Sequence, residues 1–156
     1  DNFYANDYCP RRLFIGPYIG RQKINDVMIN PTGLINTDLL ILDIFAKCIN
    51  RKTYTKEWEN ILEIHGVPKA FLKIKKYFLK PNFGLYPENI IVNFKVEDFK
   101  ILDLLLWKWK GKLSIEWYPF FFGLKQDLQI YKNLLTSDRK IKTQTAPLSE
   151  FLIKGE

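Results

Sequence analysis

The segment HGVPKAFLKIKKYFLK, residues 65–80, combines a helical pattern with the strongest charge pattern of the chain. Gly66 suits the end of one helix, Pro68 suits the first turn of the next, and Pro81 cannot extend it. The segment therefore predicts a helix of about three turns. No acidic residue within it offsets the repulsion between its lysines, which favours a polyanionic partner. The lysines that share one face at helical spacing are Lys69, Lys73, Lys76 and Lys80.

The composition predicts a folded, basic protein. The chain has 156 residues, the size of one domain, and 47% of them are hydrophobic, which is enough for a core. Lys and Arg number 24 against 17 Asp and Glu, so the net charge is +7. This charge favours nucleic acid or an anionic surface as the partner. No apolar run approaches the length of a transmembrane helix.

Apolar periodicity predicts two further helices before the basic one. The first has Thr37 as its N-cap and runs to about Asn50, with a broad apolar face. The second spans residues 56–65 and turns Trp58, Ile61, Leu62 and His65 inward. The N-terminal half of the domain is therefore predicted to be helical.

The second half predicts alternating strands and helices. Asn89 to Phe94 is rich in β-branched residues, and residues 113–118 alternate apolar and polar side chains, so both indicate strands. Helices are predicted from Glu97 to Lys110, with Gly111 as the C′ residue, and from Leu124 to Leu135. These elements predict an α+β fold, with three N-terminal helices followed by a strand-helix-strand-helix unit.

The domain division follows the change in composition along the chain. Residues 1–36 predict an extended arm with a short strand at residues 12–15, residues 37–136 a single domain, and residues 137–156 a polar tail. Basic residues of the arm are interleaved with aromatic ones, a composition suited to folded RNA. The basic residues are Arg11, Arg12, Arg21 and Lys23, and the aromatic ones are Tyr8, Phe14 and Tyr18. The alternative is that the arm packs its aromatic side chains on its own domain.

The segment Trp107 to Lys112, WKWKGK, has two interpretations. As a binding surface, its indoles stack on bases and its lysines contact phosphates. As a structural segment, Trp109 lies in the core, Trp107 lies at the rim, and the lysines interact with a helix C-terminus. The two interpretations are compatible.

Catalytic and metal-binding patterns are weak. Cys9 and Cys48 have no metal-ligand spacing and no phosphate-binding glycine motif occurs, so no cofactor or small-molecule substrate is predicted. His65, the single histidine, is expected to end a helix rather than to act as a base. Glu116 and Asp103 are the carboxylates that a metal-dependent nucleic-acid-processing enzyme would use.

We therefore expect a non-catalytic, RNA-binding structural component of a ribonucleoprotein, such as a mitochondrial or divergent ribosome, with structured rRNA and neighbouring proteins as partners. The Lys, Asn and Ile bias indicates an A/T-rich genome, as found in organelles, parasites, viruses and some bacteria, and favours a mitochondrial or other organellar location, with the cytoplasm as the alternative. A start at Asp1 suggests a processed or trimmed chain. Other candidates are an accessory subunit of a respiratory or other protein complex and a metal-dependent nucleic-acid-processing enzyme. The residues expected to contact RNA are Lys69, Lys73, Lys76, Lys80, Arg11, Arg12, Lys108, Lys110 and Lys112.

Overall fold

The described part of the protein is predominantly helical. The computed structural model describes residues 2–4, 13–16, 28–48, 56–79 and 94–134. These residues contain four α-helices, α1 (Ile35–Cys48), α2 (Lys56–Ile64), α3 (Val96–Trp107) and α4 (Lys112–Leu134). Two 3-10 helices, Lys69–Lys73 and Lys75–Tyr77, follow α2. Two three-residue strands, β1 (Asn2–Tyr4) and β2 (Met28–Asn30), pair in parallel.

The predicted α+β fold with a strand-helix-strand-helix unit is wrong. Residues 113–118, predicted as a strand, form the first turns of α4. Leu113 and Trp117, four residues apart, are buried, whereas Ile115 between them is 77% exposed. The burial therefore follows the helical period and not the alternation of a strand. The other predicted strand lies outside the described residues except for Phe94, which precedes α3.

Helix α1 begins earlier than predicted, and Thr37 is not its N-cap. The Asp38 carboxylate accepts hydrogen bonds from the backbone N–H of Thr32 (2.8 Å) and of Gly33 (3.1 Å). The Thr32 hydroxyl also donates to this carboxylate, at 2.7 Å, and accepts a bond from the N–H of Leu34 at 3.0 Å. Gly33 has a φ of 81°, which favours glycine. This turn before Ile35 fixes where the helix starts.

The structure of helix α2 and of the turn after it agrees with the prediction from the sequence. Trp58, Ile61 and Leu62 are buried as predicted, whereas His65, which follows α2, is only partly buried. Gly66, with a φ of 79°, ends the helix, and its N–H donates to the carbonyl of Glu63 at 2.9 Å. A glycine in this left-handed conformation is the common way to end an α-helix.

The core is an aromatic cluster to which the 3-10 segment and α4 both contribute. The ring centroid of Phe71 lies 5.5 Å from that of Trp117 and 6.3 Å from that of Phe121. Trp109, after the end of α3, packs edge-on against Trp117 at 5.8 Å. Helix α1 adds Leu40 and other buried apolar residues on the face that its periodicity predicted. The aromatic side chains therefore connect segments from both halves of the chain.

Part of the predicted arm is packed into this core. Leu13 and Ile15 are buried, and the Ile15 N–H donates to the carbonyl of Phe78 at 3.0 Å. The Trp58 indole N–H donates to the carbonyl of Ile15 at 2.9 Å. Residues 13–16 form no strand. For this stretch the structure favours an arm that packs on its own domain, while the predicted tail lies outside the described residues.

None of the helices in the described part of the chain has the length and apolar character needed to cross a lipid bilayer.

Candidate nucleic-acid interface

The turn between α3 and α4 separates two neighbouring tryptophans. Trp109 is buried, and its indole N–H donates to the carbonyl of Gly66 at 3.0 Å. Trp107, the last residue of α3, is 55% exposed. The structure confirms the predicted division, with Trp109 in the core and Trp107 at the surface.

Gly111 is not the C′ residue of α3. The C-cap residue is Lys108, whose N–H donates to the carbonyl of Leu104 at 2.8 Å. Gly111 instead precedes α4, and its carbonyl accepts bonds from the Ser114 hydroxyl (2.7 Å) and the Ile115 N–H (3.3 Å). The turn between α3 and α4 is therefore fixed at both ends.

The lysines of this turn are all exposed. Lys108 and Lys110 lie in the turn, and Lys112 opens α4, whose first turn has no acidic residue. None of these side chains forms an ion pair with another residue in the described ranges. Their charge is therefore available to an anionic partner.

The carboxylates nearest to them in sequence have other partners. Asp103 forms an ion pair with Lys125. Glu116 binds the first turn of α1, where it accepts bonds from the backbone N–H groups of Asn36 (3.0 Å) and Thr37 (2.8 Å). Neither carboxylate offsets the lysines of the turn. Glu116 belongs to the predicted strand at residues 113–118, but it lies with Lys112 in α4.

The bonds to Glu116 use donors that a helix leaves free. N–H groups in the first turn of a helix have no partner within it, and a negative charge is favourable there. The Asn36 amide and the Thr37 hydroxyl also donate to the carboxylate, both at 2.6 Å. Burial raises the pKa of Glu116, but the hydrogen bonds from Thr37 and Asn36 outweigh it, so that the pKa is below its ordinary value.

The predicted basic α-helix is instead a pair of 3-10 helices. Successive bonds join the N–H of Phe71 to Pro68, of Ile74 to Phe71 and of Tyr77 to Ile74, at 2.9–3.1 Å. A 3-10 helix has three residues per turn, so Phe71, Ile74 and Tyr77 form one row, and all of them are buried. Lys69, Lys73 and Lys76 therefore lie in 3-10 helices and not in the α-helix whose period predicted the stripe, and Lys80 lies outside the described residues.

Acidic residues from other helices pair with lysines of this segment. Lys69 lies 3.3 Å from Glu63 of α2, and both side chains are well exposed. Lys76 lies 3.1 Å from Asp98 of α3, which is buried. Lys73 is exposed and has no ion pair within the described residues. Lys80, Arg11 and Arg12 lie outside the described residues.

Asp98 has a structural role at the start of α3. Its carboxylate accepts bonds from the Tyr77 hydroxyl at 2.7 Å and the Lys95 N–H at 3.0 Å. Burial raises the pKa of Asp98, but bonds from Lys95, Tyr77 and Lys76 outweigh it and lower the pKa. Asp98 therefore links the 3-10 segment to α3. Its ion pair also makes the charge of Lys76 less available to an anionic partner.

His65 has a surface partner. Its Nε2 lies 3.2 Å from Asp43, which also forms an ion pair with Lys47 at 2.7 Å. The hydrogen bond from Lys47 is the largest influence on Asp43 and lowers its pKa. Within the described ranges, no group of three or more His, Cys, Asp or Glu residues could hold a metal ion.

Comparison with protein-family models, curated proteins and solved structures found no match to this chain.

Proposed function

We propose that this protein is a non-catalytic, RNA-binding structural component of a ribonucleoprotein assembly. The observation that carries the proposal is the group of exposed lysines, Lys108, Lys110 and Lys112, which have no ion pair in the described ranges and follow the exposed Trp107 in the sequence. Lysines bind phosphates and an exposed indole can stack on a base. The net charge of +7 supports the same class of partner.

The proposed RNA contacts differ in expected strength. Lys69 and Lys76 have acidic partners, so they are expected to add less to phosphate binding than the lysines of the α3–α4 turn. Lys73 has no such partner in the described part of the chain and remains a proposed contact. We also retain Lys80, Arg11 and Arg12 as proposed contacts from the sequence.

Helix α1 supports an assembly that also contains proteins. Ile35, Leu39 and Leu42 are 74%, 56% and 52% exposed and lie on one face at helical spacing. An exposed apolar row of this kind is typical of a protein interface. The proposed assembly is an organellar, in particular mitochondrial, or otherwise divergent ribosome, because the composition indicates an A/T-rich genome.

The same face favours a second candidate function. In an accessory subunit of a respiratory or other multiprotein complex, the α1 row would bind a protein and the lysines would face solvent. The two functions differ in whether association with the assembly depends on RNA.

Replacing Lys108, Lys110 and Lys112 with glutamine is expected to weaken RNA binding and flatten its salt dependence. Each phosphate contact to a single strand contributes about 0.7 to the slope of log affinity against log salt, so the slope should fall by about 2. The measurement is fluorescence anisotropy of a labelled RNA hairpin with an unpaired uridine extension, over a series of potassium chloride concentrations.

The matched control replaces the exposed Lys47, Lys56 and Lys95 with glutamine, so it has the same net charge as the variant at the α3–α4 turn. Its salt slope should stay close to that of the wild type. Equal slopes for the wild type and the variant at the α3–α4 turn would contradict the proposed site. A wild-type protein that does not bind the hairpin and associates only with proteins would favour the accessory-subunit function.

A further inference from the structure

A strip of exposed aromatic rings, Trp107, Tyr118 and Phe122, adjoins the lysines of the α3–α4 turn. Their side chains are 55%, 37% and 40% exposed. Trp107 meets Tyr118 edge-on, with ring centroids 6.0 Å apart and an interplanar angle of 74°. Tyr118 and Phe122 lie one turn apart on α4. Their rings are nearly parallel, with an interplanar angle of 12° and centroids 6.0 Å apart. The rings form one continuous surface, which we call the aromatic strip.

The chemistry of this strip suits unpaired nucleobases. Every base has a π-face, so stacking on an aromatic side chain tolerates any base sequence. In a duplex the base faces are covered by their neighbours, whereas loops, bulges and single strands expose them. A chain of exposed rings therefore selects unpaired nucleotides over a duplex.

The charges around the strip favour nucleic acid over protein. Aromatic residues are enriched in protein interfaces, but Lys is depleted from them. Here Lys108, Lys110 and Lys112 are exposed in the stretch that joins Trp107 to the helix carrying Tyr118 and Phe122, and the carboxylates of Asp103 and Glu116 are bound elsewhere in the protein. A backbone phosphate follows each base of a single strand, so adjacent rings and lysines can bind both parts of a nucleotide.

We infer that the aromatic strip stacks unpaired RNA bases while the lysines of the α3–α4 turn hold the adjoining phosphates. This inference rests on the proposed function and specifies it, because it makes single-stranded or looped RNA the ligand. The binding surface then comprises the end of α3, the turn and the exposed face of α4.

The test replaces Trp107 or Tyr118 with leucine, which keeps an apolar side chain and removes the π-face. Each variant is expected to bind a single-stranded oligoadenylate about tenfold more weakly, with an unchanged salt slope. Wild-type protein should prefer this oligonucleotide to an RNA duplex of the same length. The control is Ile64→Ala, which removes an exposed apolar side chain from α2, outside the proposed surface, and should leave RNA affinity unchanged.

The outcomes separate this inference from the proposed function. If the leucine variants bind like the wild type while the glutamine variant of the turn binds weakly, the stacking inference is wrong and RNA binding stands. If the wild type binds neither oligonucleotide, both are wrong. If the leucine variants release a co-purifying protein that the wild type and Ile64→Ala retain, the strip is a protein interface, which also overturns the inference.

Discussion

Replacement of Trp117 with alanine is expected to lower the free energy of unfolding by about 3–5 kcal/mol, the usual range for removing a buried aromatic side chain. Trp117 is fully buried and contacts the rings of Phe71, Trp109 and Phe121, at centroid distances of 5.5–6.0 Å. Its indole N–H also donates to the Thr37 hydroxyl at 2.9 Å. The substitution leaves a large cavity where α1, α4 and the 3-10 segment meet.

Equilibrium urea unfolding followed by circular dichroism measures this change. Trp117→Phe is the matched variant, because it keeps an aromatic ring and removes the N–H donor. It should cost about 1–2 kcal/mol, mainly from the lost hydrogen bond. A loss of less than 1 kcal/mol for Trp117→Ala would contradict the placement of this side chain at the centre of the core.

Replacement of Glu116 with alanine is expected to lower the free energy of unfolding by about 2–4 kcal/mol. The substitution removes an acceptor of hydrogen bonds from both the backbone and side chains of Asn36 and Thr37. It also removes a negative charge from the positive end of the α1 dipole. Glu116 lies 80 positions after Asn36 and 79 positions after Thr37 in the sequence. Losing these hydrogen bonds therefore weakens the docking of α1 on α4.

This contribution depends on pH in a defined direction. The pKa of Glu116 is lower in the folded protein than its ordinary value of 4.5. The stabilisation is therefore complete above the unfolded-state value and is lost as the pH falls through the folded-state pKa. Asp98 and Asp43 also have lowered pKa values and act in the same direction. Glu116→Gln should reduce the loss of stability in acid relative to the wild type.

Urea titrations at neutral pH and at a series of acidic pH values measure the destabilisation by Glu116→Ala and the pH dependence of the Glu116 contribution. Glu63→Ala is the control, since Glu63 is exposed and its pair with Lys69 is expected to contribute less than about 1 kcal/mol. If Glu116→Ala changes stability no more than Glu63→Ala, Glu116 does not cap α1 in solution.

The helices with a continuous apolar stripe were predictable from the sequence. The inner faces of α1 and α2 follow the period of 3.6 residues, and the buried residues of α2 are the predicted ones. The error at residues 113–118 arose because Leu113, Ile115 and Trp117 also alternate over a short stretch. The helical row continues through Phe121 to Leu128, and following it further would have indicated α4.

The basic segment shows why local spacing was insufficient. Its lysines suit an α-helix, whereas Phe71, Ile74 and Tyr77 recur every three residues and form the buried row of the 3-10 helices. Burial of this apolar row determines the conformation, since the lysines gain little from any one arrangement. The pairing of Lys76 with Asp98 joins residues distant in sequence, and spacing within the segment does not reveal it.

The candidate site was predictable in part. The outward Trp107, the inward Trp109 and the lysines that follow them were predictable from the WKWKGK segment. Tyr118 was missed because it was assigned to a strand, although Tyr118 and Phe122 have the spacing of neighbours on a helix. Contacts across the α3–α4 turn, such as that between Trp107 and Tyr118, require the three-dimensional arrangement of the helices.

Measuring whether nucleic acid co-purifies with the native protein tests RNA binding without any assumption about the site. The protein is isolated at low salt, with and without ribonuclease treatment, and the co-purifying nucleic acid is quantified and sequenced. We expect a discrete, structured RNA that ribonuclease removes and that dissociates steeply as salt is raised. A protein free of RNA, with protein associations that ribonuclease does not affect, would contradict the proposed function.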